Sequence, residues 1–241
     1  MKVAIMQPYF FPYIGYFQLI AASDVFVLHD DVQYIKGGWV NRNRILFNDA
    51  ARMITFPVHK DAYDLPIKAR NYVESDKARK DIINLIKQSY AKTPYYRHVF
   101  PLLEELMMFE ETNVARFNEN LIRRITEYMG LNRKIISSSD MEKDNSLAGE
   151  SRVLDICKRL GATHYFNPIG GTELYHRDAF LQCGITLRFL ESQNERYDQG
   201  KGTWLPFLSI IDVLMFNPIE SLQHLLTKCQ LRSPDEIEAH L

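Results

Sequence analysis

Short apolar runs alternate with segments of helical periodicity near the start of the chain. Residues 2–6 (KVAIM) form an apolar run with β-branched members, and residues 14–24 carry apolar side chains at helical spacing. Residues 25–34 then return to strand-like composition. The same alternation reappears later, with a strand, a helix and two strands predicted at residues 134–138, 147–161, 163–168 and 184–190. Because parallel strands need long crossover connections, this order predicts an α/β fold with a parallel-sheet, Rossmann-like core.

The middle of the chain departs from this alternation. Residues 39–47 and 52–59 are rich in strand formers and are separated by NDAA, which predicts a hairpin that extends the sheet or forms an antiparallel flap. A helical block is then predicted as an insertion at about residues 75–130, with helices at 76–90, 96–109 and 114–130.

Two predictions concern the C-terminal part of the chain. A late helix is predicted at residues 217–228, with Asn217 as N-cap and Pro218 in its first position. The polar tail from Arg232 is predicted to fray.

Composition narrows the class of protein. The 241 residues are 46% hydrophobic and carry 29 basic against 30 acidic side chains, which fits a single globular domain and gives no electrostatic reason to expect nucleic acid. Three widely spaced cysteines form no C-x-x-C pair and suggest neither a disulfide framework nor a zinc site. With no predicted signal peptide or membrane span, we expect a cytoplasmic protein without membrane insertion.

The loop after the first predicted strand, QPYFFPYIGY, concentrates rings and prolines. Ligands of open parallel sheets bind beyond the carboxyl ends of the strands, so this loop is one predicted wall of a crevice. Two prolines stiffen it, and Gln7 can present an amide from a rigid edge. Gly15 admits close approach of a backbone or ligand. Most rings are explained by core packing, but Tyr9 and Tyr16 are also candidates for stacking on a sugar or base.

The stretch HDDVQYIKGGWVNRNR follows the second predicted strand and supplies the candidate catalytic residues. His29 or Asp31 is a candidate general base. In an extended segment Asp30 and Asp31 point to opposite faces, which makes them a poor catalytic pair, although a carboxylate also suits Mg²⁺. Strand alternation likewise separates the asparagines from the arginines of NRNR, and Arg42 is a candidate anchor for a phosphate or carboxylate. A solvated hairpin face is the alternative interpretation.

A third polar stretch, YFNPIGGTELY, follows a later predicted strand. Asn167, Gly170 and Gly171 suit an anion site with exposed backbone N–H groups, and they suit an ordinary tight turn equally well. His164 is better explained as a core residue, and residues 137–140 as a loop. Motifs for P-loop, dinucleotide, metal-helix and α/β-hydrolase sites are absent, and the residues identify no cofactor and no metal site.

Four stretches together resemble the WbqC-like protein family: VAIMQPYFFPYIGYFQLI, FVLHDDVQYIKGGWVNRNRI, YFNPIGGTELY and LPFLSIIDVLMFNP. The resemblance implies a role in bacterial surface-polysaccharide (O-antigen) biosynthesis. The matching positions are Gln7, Pro8, Pro12, Gly15, Tyr16, Asp31, Gln33, Trp39, Asn41, Arg42, Gly170, Gly171, Tyr175, Ser209 and Asp212. A weaker architectural similarity links YIGY to the H-x-G-H position of nucleotidyltransferase-type folds, but both histidines are missing here.

Three functions are compatible with these features. The first is an acyl or aminoacyl transferase acting on a nucleotide-linked amino sugar. The second is an ATP-dependent enzyme that forms an acyl-adenylate. The third is a non-catalytic protein that binds a nucleotide sugar or a partner. The expected ligands are therefore small molecules, a nucleotide sugar or an acyl donor, and a glycosyltransferase or acyl carrier is a possible protein partner.

Overall fold

The computed structural model describes residues 1–200 and 202–239. In chain order its strands and helices are β1 (Lys2–Met6), α1 (Ile14–Ala22), β2 (Val25–Leu28), β3 (Arg42–Phe47), β4 (Ala50–Thr55), α2 (Asp76–Tyr90), α3 (Tyr96–Met108), α4 (Val114–Tyr128), β5 (Lys134–Ser137), α5 (Gly149–Arg159), β6 (His164–Pro168), α6 (Arg177–Gln182), β7 (Thr186–Ser192), α7 (Ile210–Phe216), α8 (Ile219–Thr227), β8 (Cys229–Arg232) and α9 (Pro234–Glu238). No described helix is long and apolar enough to cross a bilayer.

The six-stranded sheet has the order β5-β2-β1-β6-β7-β8, and all neighbours are parallel except β7 and β8. Read along the sheet, the parallel strands follow the 3-2-1-4-5 order of doubly wound folds. The predicted α/β fold with a mostly parallel sheet is therefore confirmed. Strand order reverses between β1 and β6, which is where such sheets bind ligands.

Helices cover both faces of the sheet because side chains along each strand alternate. In β1, Val3 and Ile5 join the core under α5 and α6, whereas Ala4 joins the larger core under α1–α4, α7 and α8. In β2, Val25 and Val27 likewise lie opposite Phe26 and Leu28. A strand with both faces covered has to be apolar throughout, which explains the continuous apolar runs in the sequence.

The predicted hairpin forms, but as a separate two-stranded sheet. Its turn residues Asn48 and Asp49 both have positive φ, at 50° and 58°, as a two-residue turn of type I′ requires. The three predicted helices of the inserted block correspond to α2, α3 and α4.

The predicted late helix forms, but its predicted cap was wrong, as was the prediction of a frayed tail. The late helix α8 begins at Ile219 with Pro218 as its N-cap, because Asn217 ends α7, where its side chain donates to the Val213 carbonyl. The chain from Arg232 is not frayed up to residue 239: β8 pairs with β7 through residue 232, and a capping box at Ser233 begins α9. The sequence pattern also missed α6 and α7.

The loop between β1 and α1 is buried, although its backbone forms no regular structure. Pro8, Phe10, Phe11 and Pro12 are all inaccessible or nearly so. A buried carbonyl without a hydrogen bond is costly, so donors must come from elsewhere. They come from side chains distant in sequence, through the pairs Tyr16 Oη to Gln7 O, Asn118 Nδ2 to Pro8 O, Asn43 Nδ2 to Phe10 O and Phe11 O, and Ser209 Oγ to Phe11 O.

The Asn118→Ala variant should lose about 2–4 kcal/mol of unfolding free energy. The asparagine is fully buried, and its amide donates to the carbonyls of Pro8 (2.9 Å) and Val40 (2.6 Å) while accepting from the Tyr72 hydroxyl (2.9 Å). Alanine at position 118 leaves the two carbonyls and the Tyr72 hydroxyl without the amide as a partner. Urea unfolding followed by circular dichroism measures the loss.

The matched control is Asn84→Ala, at an exposed position of α2. Its effect should stay within about 0.5 kcal/mol. Equal effects of the two substitutions would contradict the assigned role of the Asn118 amide.

Candidate functional site

Three of the predicted site residues lie side by side where neighbouring strands end. The His29 N–H donates to the Met6 carbonyl at 2.7 Å, so His29 and Gln7 leave β2 and β1 together. On the other side of β1, the register of Ala4 with Phe166 places Asn167 next to the same edge. The structure thus brings all three residues to the carboxyl edge of the sheet. Gln7 follows β1 and Asn167 lies in β6, the two strands that flank the reversal of strand order, and His29 follows the next strand, β2.

A group of charged side chains at this edge, here called the edge cluster, consists of His29, Asp31, Lys143 and Arg152. Lys143 Nζ lies 2.7 Å from Asp31 Oδ2 and also donates to the Ser138 carbonyl. Arg152, in the first turn of α5, donates to the Asp31 carbonyl at 3.2 Å and lies 4.0 Å from its Oδ1. The lysine side chain is only 2% exposed, so it is a fixed part of the interior.

Asp30 takes no part in this cluster. Its two carboxylate oxygens accept from the backbone N–H and the hydroxyl of Ser139, at 2.9 and 2.5 Å. The adjacent carboxylates therefore have separate partners, as predicted, although they lie in a turn and not in an extended segment.

The cluster fixes the charge of its two candidate catalytic groups. Burial lowers the pKa of His29 to about 4, and the positive charges of Arg152 and Lys143 add to this effect against the opposing charge of Asp31. Burial is the largest effect and by itself would raise the pKa of Asp31, but the hydrogen bond to Lys143 and the neighbouring polar and positively charged groups together outweigh it and hold the pKa below its usual value. At neutral pH a neutral imidazole therefore faces an ionised carboxylate.

The two groups face each other without a direct hydrogen bond. His29 Nε2 and Asp31 Oδ1 are 3.8 Å apart, which is too long for a direct hydrogen bond. Both atoms are buried, and neither has a hydrogen-bond partner within residues 1–200 and 202–239. A donor with two hydrogens, such as an amine, can satisfy both acceptors when His29 carries its proton on Nδ1.

Tyr9 and Trp39 lie in a different place, an aromatic cleft of about 250 Å³. The cleft is lined by Tyr9, Pro12, Tyr13, Trp39, Asn43, Arg44 and Phe207. The Arg44 guanidinium lies 5.6 Å from the centre of the Trp39 ring and donates to the Phe207 carbonyl at 3.3 Å. Phe207 itself has a φ of 58°, a strained conformation for a bulky residue. Aromatic rings beside a guanidinium suit a sugar or a base.

Asn41 and Arg42 line a third cavity, of about 540 Å³, here called the cationic cavity. The alternation predicted for residues 41–44 is present, since Asn41 and Asn43 are buried and the two arginines are only half-buried. The asparagines, however, face the protein. Asn41 Nδ2 donates to the Phe56 carbonyl at 3.0 Å and its Oδ1 accepts from the Tyr34 hydroxyl at 2.8 Å.

In the loop QPYFFPYIGY, the predicted binding positions Gly15 and Tyr16 pack against other parts of the protein. Tyr16 is 1% exposed, and its hydroxyl donates to the Gln7 carbonyl at 3.0 Å. Gly15 admits close approach, as predicted, but the approaching group is the ring of Tyr13, which a Cβ at Gly15 would meet. Gly15 thereby positions one wall of the aromatic cleft.

The remaining predicted positions are dispersed. Gln33 is exposed and pairs with Pro66 in an isolated bridge. Gly171 lies against the Asn167 amide, while Gly170 is exposed and has open space around it. Tyr175 packs on Tyr165, with ring centres 5.3 Å apart, and lines a surface cavity near α9. The structure therefore does not collect all predicted binding residues around one cavity.

The profile of the WbqC-like protein family matches residues 7–224. The chain belongs to the WbqC-like protein family. It is also 29% identical over 219 residues to the uncharacterized protein Rv1507c of Mycobacterium tuberculosis (strain ATCC 25618 / H37Rv), which covers 90% of this chain and 93% of that protein. No solved structure matches the chain significantly.

Two further positions of the WbqC-like pattern, Ser209 and Asp212, are buried and form hydrogen bonds within the protein. Ser209 donates to the Phe11 carbonyl at 2.8 Å and begins α7. Asp212 is fully buried and accepts hydrogen bonds from Tyr90, Tyr197 and Gln199. Burial raises the pKa of Asp212.

Lys143 and Arg152 were missed by the sequence interpretation. Lys143 lies in the polar loop after β5 and Arg152 in a helix whose other residues show ordinary amphipathic periodicity. Only the expectation that loops at the carboxyl edge converge could have drawn attention to them. Groups of three or more His, Cys, Asp or Glu side chains suited to a metal ion are absent from the part of the chain that the structure describes.

Lowering the pH from 7 to 5 should reduce the unfolding free energy of the wild-type protein more than that of the His29→Gln variant. The difference between the two reductions should be about 2 kcal/mol. The folded pKa of His29, about 4, lies below its unfolded value of 6.5, so the unfolded state binds more protons in this window. Its contribution to stability is therefore present above pH 6.5 and is lost as the pH falls towards 4. Urea unfolding at both pH values measures it.

His98→Gln is the matched control, because His98 is exposed on α3. This variant should retain the wild-type pH dependence. If His29→Gln also retains it, the imidazole is not held neutral by burial.

Proposed function

We propose that this WbqC-like protein is a transferase of bacterial surface-polysaccharide biosynthesis. It transfers an acyl or aminoacyl group to the amine of a nucleotide-linked amino sugar. The observation that carries the proposal is that two buried polar atoms, His29 Nε2 and Asp31 Oδ1, lie 3.8 Å apart and lack a hydrogen-bond partner within the described residues. Both are acceptors when the His29 proton is on Nδ1. They lie at the carboxyl edge of the sheet, beyond β2 and one strand away from the reversal between β1 and β6 where doubly wound folds bind ligands.

An amine matches this pair better than a hydroxyl does. A neutral amine has two N–H groups and can donate to both acceptors at once, whereas a hydroxyl has one. The lone pair of the amine nitrogen then remains free for attack. The edge cluster thus selects and orients an amine without protonating it, because His29 is neutral at pH 7.

The proposed reaction uses His29 as a proton carrier. The amine nitrogen attacks the carbonyl carbon of an acyl thioester, and a C–N bond forms. His29 Nε2 takes the proton that the nitrogen loses, and Asp31 stabilises the resulting imidazolium. The C–S bond then breaks, and the proton passes from His29 to the departing sulfur. Lys143 is a positioning residue, since it holds the Asp31 carboxylate through the oxygen that faces away from His29.

The first turn of α5 supplies a further feature at this edge. Its N-cap residue Ala148 offers no side-chain cap, although Glu150 places a carboxylate in the first turn. Arg152 connects that turn to Asp31. The positive charge of Arg152 beside Asp31 supports stabilisation of a developing oxyanion.

Adenylate formation has less support from the geometry. In nucleotidyltransferase-type folds the motif at the position of YIGY contacts phosphates. Here Tyr16 is buried with its hydroxyl on the Gln7 carbonyl, and Gly15 is covered by the Tyr13 ring. Neither position presents a cationic group to ATP.

Incubation with nucleotide-linked amino sugars and acyl or aminoacyl thioesters should give a product whose mass rises by the acyl group. We expect His29→Gln to lower kcat by about 10²–10⁴, as loss of a general base does. Mass spectrometry of the nucleotide sugar measures both effects.

The control variant for this assay is His98→Gln, which should keep wild-type kcat. Absence of product with every donor would contradict the proposal, as would full activity of His29→Gln. Thermal stabilisation by a nucleotide sugar without turnover would favour a non-catalytic binding protein instead.

A further inference from the structure

The cationic cavity lies apart from the edge cluster, beside the hairpin. Its wall is formed by the loop before β3, the end of β4 and the segment after it. The lining residues are Tyr34, Lys36, Gly37, Asn41, Arg42, Thr55, Val58, His59, Lys60, Asp61, Tyr63 and Arg70. Four of them, Lys36, Arg42, Lys60 and Arg70, are cationic, whereas Asp61 is the one carboxylate in this lining. The cavity therefore carries an excess of positive charge.

Two of the cations are held in place by backbone carbonyls. Arg42 donates through Nε to the Gly38 carbonyl at 3.1 Å and through Nη2 to that of Gly37. Arg70 donates through Nη2 to the carbonyls of Ala62 and Tyr63, at 2.6 and 3.3 Å. These bonds orient the guanidinium groups and leave their positive charge in place. Orientation in advance lowers the entropic cost of gripping an anion.

Arg70 has unused hydrogen-bonding capacity in a buried setting. Its side chain is 6% exposed, and its Nε lacks a hydrogen-bond partner within the described residues. Asp61 approaches its Nη1 no closer than 3.9 Å, so this carboxylate is beyond hydrogen-bonding distance. A buried guanidinium with an unsatisfied N–H is expected to meet an acceptor that the protein does not supply.

The cavity is connected to the edge cluster by one short, fixed segment. Tyr34 lies three residues after Asp31 in the sequence. The intervening backbone is paired with the segment around residue 67, through Lys68 N to Asp30 O, Ile67 N to Val32 O and Tyr34 N to Leu65 O. Even a fully extended chain of three residues spans only about 10 Å. The backbone of Asp31 is therefore a close neighbour of Tyr34 in the cavity wall.

We infer that the cationic cavity binds the diphosphate group of a small molecule. If the proposed function is right, that molecule is the nucleotide-linked amino sugar. Its amine then lies at the edge cluster and its diphosphate at Arg42, Arg70, Lys36 and Lys60. A diphosphate fits better than a lone carboxylate because it offers several oxygens and more than one negative charge to four cations. Tyr63, 79% exposed at this cavity, is available to stack on the base.

The test is isothermal titration with three probes: inorganic pyrophosphate, uridine diphosphate and uridine. Pyrophosphate and uridine diphosphate should bind the wild-type protein, and uridine should bind at least tenfold more weakly than uridine diphosphate. The variant is the double substitution Lys36→Gln/Lys60→Gln. Both lysines are exposed, so the variant retains the buried contacts of the fold. It should bind pyrophosphate and uridine diphosphate at least about tenfold more weakly.

The matched control, Lys77→Gln/Lys80→Gln, removes two exposed positive charges from α2. It should change affinity less than twofold. Three results would overturn the inference: no binding of either phosphate probe, an equal loss in the two double variants, or uridine binding as tightly as uridine diphosphate.

The result is separable from that of the acyl-transfer assay. Binding of uridine diphosphate that depends on Lys36 and Lys60, without any acylated product, supports the cavity and contradicts the proposed reaction. Acyl transfer with an unchanged KM in Lys36→Gln/Lys60→Gln supports the reaction and overturns the diphosphate site.

Discussion

The buried carbonyls of residues 7–12 need hydrogen-bond donors, and this constraint organises much of the molecule. The loop is closed to water by its own rings, and its two prolines have no N–H of their own to contribute. Donors arrive from α1, from β3, from α4 and from the residue before α7. One irregular segment therefore ties together the sheet, the hairpin, the helical block and the C-terminal helices.

The same constraint determines how the hairpin presents its arginines. Asn43 has to face the loop, because its amide donates to the carbonyls of Phe10 and Phe11. Since side chains alternate along a strand, Arg42 and Arg44 must then lie on the face of β3 opposite Asn43. Arg42 enters the lining of the cationic cavity and Arg44 that of the aromatic cleft. A shift of one residue in β3 would bury both arginines, so the register is strongly specified.

Helices and strands that are encoded by local periodicity are predicted well from the sequence. Helices α2, α3 and α4 and the strands of the parallel sheet follow from patterns of apolar side chains within single segments. The hairpin also follows, since its two strands are rich in strand formers and flank a polar turn. By contrast, β8 forms an edge through pairing with β7, and its own residues show little strand pattern. Such pairing is decided by tertiary contacts that no local window contains.

The candidate site shows the same division. His29 and Asp31 can be recognised because they follow a predicted strand directly. Lys143 and Arg152 cannot be recognised in this way, because they follow β5, more than a hundred residues after Asp31 in the sequence. Only the strand order brings them close to Asp31. The aromatic loop likewise gives Gln7 and Tyr9 as candidates, but it does not indicate that Tyr9 faces a cleft separate from the sheet edge.

A structural role explains only part of the edge cluster. A buried ion pair is costly to desolvate and is retained for stability only when its remaining lone pairs and hydrogens are satisfied. The contact of Asp31 Oδ2 with Lys143 meets that condition, whereas Asp31 Oδ1 and His29 Nε2 do not. Leaving such groups unpaired costs about 1–3 kcal/mol each. A protein selected only for stability would pair or replace these two groups. Their lack of a partner is better explained by a ligand that donates to both atoms.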